Sequence, residues 1–398
     1  MTTIGNRTII EIHALETTAA GNLNRDDTGS PKTVEYGGVT RARVSSQAWK
    51  RPTRKLFEDL VDPKDLGVRT KHVVEELAGR IVQRRPELDI AQANELAENV
   101  LHNGAGIKLE KPRRKSADDS DDDRAKQSQY LLFLGNRQYD RLADLAVKAL
   151  DTGDAAKAIK GDRKAIKAIV SDDRSIDVAL FGRMVADDAD LNIDACAQVA
   201  HAISVQAVDS ESDFFTAVDD RKTRSEDEAG DAGAAMIGQI EFNAATFYRY
   251  ANVDADRLYD TLGDGAATAK AVAAFVQAFI TSMPQGKINT FAHGTLPDLV
   301  VVNLRDTQAV NLVGAFERPV APSYVQHATE ALVRREQDVD RAYGITPVRT
   351  WVVRVGDATA AADELLGEGE GPISLRELVA DVEQVVSDRL TQDRSTQE

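Results

Sequence analysis

The residues best suited to chemistry crowd together near the start of the chain. Between positions 24 and 55 stand eight cations (Arg25, Lys32, Arg41, Arg43, Lys50, Arg51, Arg54, Lys55) against three acids (Asp26, Asp27, Glu35), a local charge of +5. The whole chain of 398 residues carries −16. A basic track on an acidic body suits a polyanion held at one place and discourages indiscriminate sticking. The order of residue types sharpens this. Leu23 to Lys32 is a turn-rich loop, and the Gly37-Gly38 bend follows. Arg41 and Arg43 alternate with Ala42 and Val44, as in a strand. Ser45 or Ser46 can then cap a helix that starts near Gln47 and carries Lys50, Arg51, Arg54 and Lys55 in its first turns. Cations there oppose the helix dipole, so the placement calls for an anion nearby, with amides at the helix start as further donors.

A second chemistry is conceivable in the same loop. Asp26 and Asp27 could hold a metal for phosphodiester cleavage, the reaction of a metal-dependent ribonuclease. In a loop of Asn, Gly and Pro, turn-capping aspartates paired with arginine are the stronger reading. Other catalytic patterns are missing from the sequence: no phosphate-binding Walker loop, no GxSxG elbow, no HExxH and no dinucleotide glycine fingerprint. The six histidines are scattered, and His13 reads as a partly buried strand residue with a backbone partner. The single cysteine, Cys196, excludes an intrachain disulfide and a cysteine-rich zinc site and reads as a small apolar residue. The aspartates at 118, 119, 121, 122 and 123 lack the glycine and final glutamate of a calcium loop. The residues therefore point to a binding or structural protein without cofactor or metal. With no signal peptide and no apolar run of membrane length, a soluble cytoplasmic protein is expected.

The elements that must position the track follow from patterning. Residues 7–15 are a β-branched strand. Helical periodicity governs 61–173, interrupted at 112–128, where Arg113-Arg114-Lys115 precedes the aspartate run and a solvated loop is expected. Ile176 to Met184 reads as a short strand, and 193–202 as an alanine-rich helix. Alternation at Ile203, Val205 and Ala207, and again from Ile240 to Tyr250, suggests a long hairpin. Its tip, 209–235, includes Phe214 and Phe215 in a polar setting, which suits a stacking or wedge surface, and a charged stretch at 221–233. A helix at 264–283 ends in Met283-Pro284-Gln285-Gly286-Lys287, a turn that could offer Lys287 to a phosphate. A strand at 298–305, a helix at 325–342, a strand at 351–355 and a helix at 374–389 complete a mixed α/β sheet with a helical insertion.

Several of these stretches are familiar together. The chain resembles the CasC-type backbone subunit of the type I-E CRISPR Cascade complex, through LNRDD at 23–27, the Gly-Gly bend, the basic strand and Ser45-Ser46-Gln47 with Lys50-Arg51. Asp177–Met184, the run 200–220 and the run 242–253 extend the likeness, and weaker matches continue at 297–303 and Phe316. The resemblance implies an α+β fold. An RRM-like (ferredoxin-like) palm would carry a helical fingers insertion and a β-hairpin thumb. Its first palm segment would be 1–60, the fingers 61–175, a palm and web piece 176–199, the thumb 200–250, and the palm completion with C-terminal helices 251–398. It implies a non-catalytic subunit that multimerises along a CRISPR guide RNA, with other copies of itself, other Cascade subunits and target DNA as partners, and no membrane. Guide-binding residues would be Asn24, Arg25, Lys32, Arg41, Arg43, Ser46, Gln47, Lys50, Arg51, Arg54, Lys55, Arg183, Met184, Phe214, Phe215, Thr216 and Lys287. Met184 and Phe215 would flank a displaced nucleotide. Such a protein need not carry the stacking aromatics of a free-standing RRM. A monomeric RNA-binding protein is the remaining alternative.

Overall fold

The computed structural model describes residues 7–112, 124–172, 175–185, 189–217 and 236–395. Arg113-Arg114-Lys115, the aspartate run at 118–123 and the stretch 221–233 lie outside the described residues. The chain divides into two compact units, residues 1–56, 198–255 and 272–398, and residues 57–197 and 256–271.

The first unit is built on a nine-stranded sheet. Seven strands follow one path: Arg349–Arg354, Leu299–Arg305, Ile9–Gly21, Met236–Asp254, Ala202–Ser204, Val39–Val44 and Thr33–Tyr36. Each neighbouring pair on this path is antiparallel. Ile9–Gly21 is longer than its β-branched core suggested. It pairs on both sides, with Asp254 to Asn243 along one edge and with Arg305 to Leu299 along the other. Both of its faces are buried over most of its length, as a central strand covered on two sides requires.

Both faces bury charge as well as apolar side chains. On one, Leu15, Tyr248, Leu299, Val301 and Val352 pack under Leu332 and Val333 of the helix Tyr324–Tyr343. That face also buries charge. Arg305 donates from Nε to Glu11 at 2.7 Å and from Nη1 to Asp340 at 2.8 Å, while Asn303 donates to Glu336 at 2.6 Å. His13 joins the cluster through Nδ1 to the Tyr248 hydroxyl, 2.9 Å away. It is fully buried where partial burial was expected, and its partner is a side chain, not backbone.

The second unit is mostly helical, with a core of Val73, Leu77, Ile81, Leu96, Leu101, Leu142, Ala146, Ile166 and Val170 contributed by successive helices. Two expectations fail around it. Ile176–Phe181 is a helix, not a strand, closed by Gly182 at φ 77. A six-residue apolar run fits either state, and here Asp177 at its first turn accepts the Gly67 amide at 2.8 Å and fixes the helical choice. The alanines at 193–202 form no helix. Arg183 and Ile193 make a β-bridge, and Ala197–Val199 is a strand. Alanine is the best helix former, but propensity is a small term, and sheet pairing overrides it here. Among the described residues no helix is long and apolar enough to cross a membrane.

Burial raises the Glu336 carboxyl above its ordinary range, against the pull of His13, Asn303 and Arg305. The folded chain therefore holds this proton more tightly than the unfolded one. The resulting stability is complete below the ordinary value of 4.5 and is lost as pH rises through the raised one. Glu336→Gln keeps the oxygen that Asn303 needs and removes the buried charge. It should melt above wild type by a few degrees at neutral pH, an advantage that vanishes towards pH 4.5. Melting below wild type at neutral pH would show that the charge is a net support of the fold.

Candidate nucleic-acid interface

The loop that opens the basic track is tied down at many points. Asn22 donates to the carbonyls of Gly29 and Glu241 at 3.0 and 2.8 Å. Lys32 donates its amide to the Asn24 carbonyl, and the Asn24 side-chain oxygen accepts the Ser45 amide at 3.0 Å. Asn24 thus fixes the entry of the basic helix Ser46–Leu60. Asp26 does not pair with arginine. Its Oδ1 accepts from the Thr28 amide, the Thr28 hydroxyl and the Ser30 amide at 2.7 to 3.0 Å. The Thr28 hydroxyl, joined by backbone amides, holds this carboxyl below its ordinary range. Arg25 bridges backbone to Pro31 and stays exposed. Gly286 sits so close that a Cβ there would lie 2.5 Å from the Leu23 carbonyl oxygen. With Leu23 to Gly29 it lines an open depression of about 490 Å³. Lys287, next in sequence, is held left-handed at φ 56. The structure therefore brings Asn24, Arg25 and Lys287 to one place.

The Gly37-Gly38 bend is a two-residue hairpin, with Tyr36 paired to Val39 and both glycines at positive φ, the geometry such turns require. Arg41 and Arg43 follow on the same strand and part company. Arg41 is fully buried. Its guanidinium donates to the carbonyls of Ser204 at 2.9 Å, Phe316 at 2.8 Å and Tyr36 at 3.2 Å. It is a structural clamp between segments, set inward of the exposed track. Burial lowers its pKa. Arg43 stays at the surface and donates to the Thr33 carbonyl at 3.1 Å and to His201 Nδ1 at 3.0 Å.

In the basic helix, Ser45 Oγ accepts the Ala48 amide at 3.3 Å as a cap. Trp49 is buried, and the Arg249 guanidinium lies 3.8 Å from the centre of its ring. With that side inward, Gln47, Arg51 and Lys55, spaced by four, are exposed and form one stripe. Ser46, Lys50 and Arg54 are partly buried beside it, and loss of solvent lowers the Lys50 pKa. No acid stands in the first turn.

The expected hairpin exists as a ribbon, but its pairing runs into the expected tip, so that Phe214 and Phe215 stand on a strand and not in a loop. Glu211–Ala217 pairs antiparallel with residues Met236 to Phe242, the first part of the long strand Met236–Asp254. Residues 218–235, the far end of the expected tip, lie outside the described residues. Phe214 is 69% exposed and Phe215 38%. They point to opposite faces of the ribbon. The Phe215 ring lies across its cross-strand partner Gly238, where a Cβ would come within 2.2 Å of the ring. Thr216 follows, paired with Ile237. At the base of the ribbon, the Phe242 and Phe291 rings meet at 5.6 Å.

Arg183 and Met184 belong to the second unit. The Arg183 guanidinium is buried and donates to the carbonyls of Leu191, Phe133 and Val170 at 2.7, 3.1 and 3.1 Å. It is an interior anchor. Between buried Arg183 and buried Val185, Met184 stands 83% exposed. Sequence reading also missed His201 as a member of the basic surface. Its one signal was its position beside the alternating run that pairs with the basic strand.

The CT1975-like protein family matches residues 10 to 381. The chain belongs to that family. Among curated proteins, none matches. Among solved structures, a chain of "CRISPR RNA-guided surveillance complex, pre-nicking" is 33% identical and superposes with a TM-score of 0.80, covering 95% of this chain and 100% of that one. A chain of "CRISPR RNA-guided surveillance complex" is 31% identical with a TM-score of 0.69, covering 94% and 100%. This CT1975-like chain thus shares its architecture with both along nearly its whole length.

Gly238 is what lets the Phe215 ring lie flat on the ribbon. Gly238→Ala should lift that ring into solvent and erase contacts between ring protons and residue 238 in NMR spectra. Stability should change by only about 0.5 kcal/mol, as at other surface positions. A ring that stays in place in the variant would contradict this packing.

Proposed function

We propose that this protein is a non-catalytic, CasC-type backbone subunit of a type I-E CRISPR surveillance complex and multimerises along the guide RNA. The observation that carries the reading is the 33% identity, over 95% of this chain, to a chain of a CRISPR RNA-guided surveillance complex. In this reading the first unit acts as an RRM-like palm whose basic stripe faces the guide's phosphates. The helical second unit acts as fingers, and the ribbon as a thumb. Phe215 on the ribbon offers an aromatic face to a displaced nucleotide, and exposed Phe214 offers a further apolar face. Sequence recognition then comes from pairing between guide and target, while the protein holds backbone and shape. Other copies of itself, companion subunits and target DNA are its partners.

Arg51→Ala with Lys55→Ala removes two exposed charges and leaves Trp49 and the buried face untouched. Affinity for single-stranded RNA should fall for every sequence tested. The log–log salt slope should flatten by about 0.7 per lost phosphate contact. Unchanged affinity and slope would move the guide elsewhere.

The ribonuclease alternative rests on Asp26 and Asp27, and Asp26 already spends Oδ1 on three donors of its own loop. Labelled RNA and duplex DNA incubated with the protein and magnesium or manganese should remain intact. Cleavage abolished by Asp27→Asn would favour the nuclease.

A further inference from the structure

The basic surface holds a second group that can change charge. His201 is exposed at the start of the strand Ala202–Ser204, beside the basic strand Val39–Val44, to which that strand pairs through Arg43 and Ile203. Arg43 Nη1 donates to His201 Nδ1 at 3.0 Å. Nδ1 can accept only if the ring is neutral with its proton on Nε2. The Arg43 Nε is fixed on the Thr33 carbonyl at 3.1 Å, so the guanidinium is oriented and its Nη1 spends a donor on the imidazole. The charges that bear on His201 are both cations: Arg43 on the neighbouring strand, and Lys32 on the segment that leads into Thr33–Tyr36. Among the described residues no carboxylate forms an ion pair with any of the three. Loss of solvent, then Arg43 and Lys32, lower the His201 pKa.

The geometry points to a proton-linked phosphate site made of Lys32, Arg43 and His201. In the free protein, neutral His201 caps the Arg43 guanidinium. A phosphate oxygen arriving there takes over the Arg43 donor and adds negative charge beside the ring. Both changes favour the imidazolium, which becomes a third cationic donor to the phosphate. One proton is taken up from solvent for each such site filled, and no covalent bond changes. This rests on the RNA-binding reading above and adds a titrating ligand to it. Histidine is the side chain that ordinarily changes charge near neutrality, and in the free protein loss of solvent, Arg43 and Lys32 lower His201 from its ordinary value.

Linkage gives the sign and the size. If the bound form holds a proton that the free form lacks, affinity rises as pH falls. The limit is about tenfold per pH unit for one site, between the free and bound pKa values. The test uses a short single-stranded RNA, binding one copy, titrated from about pH 8 to about pH 5.5, a span that brackets the histidine range. His201→Asn is the variant: its amide oxygen can replace Nδ1 as the Arg43 acceptor and cannot titrate. Wild type should gain affinity towards acid pH, with the His201 ring resonances reporting a higher pKa in the RNA complex than in the free protein. His201→Asn should show a flatter profile and fall further behind wild type as pH drops. RNA binding with the same pH profile in both proteins, or a His201 pKa unmoved by RNA, would overturn this site and leave the RNA-binding reading standing. No RNA binding by wild type at any pH would overturn both.

Discussion

The first unit depends on one buried cation. Arg249, on the central long strand, lies between the rings of Trp49 and Phe279, 3.8 and 4.6 Å from their centres, and pairs with Glu16. It also donates to the Phe279 carbonyl. Taking a guanidinium and a carboxylate out of water costs several kcal/mol, offset only when geometry and hydrogen bonds are good. Here the carboxylate, carbonyls and two aromatic faces share that task. The basic helix needs such an anchor. It carries Pro52 in its interior and no acid in its first turn, so little in its own sequence holds it in place. Thr53 adds a bond to Ser282 at 2.9 Å. The outward stripe of Gln47, Arg51 and Lys55 is the other side of a helix whose inward side is Trp49 against Arg249.

Much of this was legible in the residues, and the misses have a common cause. The first strand, the Gly-Gly hairpin, the capped basic helix and the ribbon with two phenylalanines all rest on local pattern: periodicity, turn chemistry and caps. Arg41 and Arg43 show where local pattern stops. Both sit on one strand two residues apart, and alternation assigns them the same face. Only the carbonyls of Ser204 and Phe316, brought in from far along the chain, make Arg41 interior. Arg183 fails the same way, its guanidinium satisfied by carbonyls of three other segments. His201 escaped notice because its partner lies 158 residues away in sequence. The alanines near 197 were misread because strand pairing there is decided by a distant edge.

The charge pattern makes physical sense once buried and exposed charges are separated. Acidic groups do enter the core, as Glu11, Glu336 and Asp340 around Arg305 and His13, and that cluster sits under the helix Tyr324–Tyr343. The exposed cations cluster instead along the loop, the hairpin and the first turns of the basic helix. The overall charge of −16 therefore says little about the local field met by a ligand at that surface.

The strand Met236–Asp254 runs for 19 residues without interruption. One end lies in the middle of the sheet, hydrogen-bonded to the first strand, and the other forms one side of the ribbon. The ribbon is therefore a cantilever clamped in the core, not a flap on a hinge. Seven residues of pairing beyond the clamp reach about 23 Å at the usual rise per residue. A cantilever also carries parity. Each residue inserted or deleted between the clamp and Gly238 would turn every side chain beyond it to the opposite face. The length of that strand, counted in single residues, sets which face of the ribbon receives Phe215.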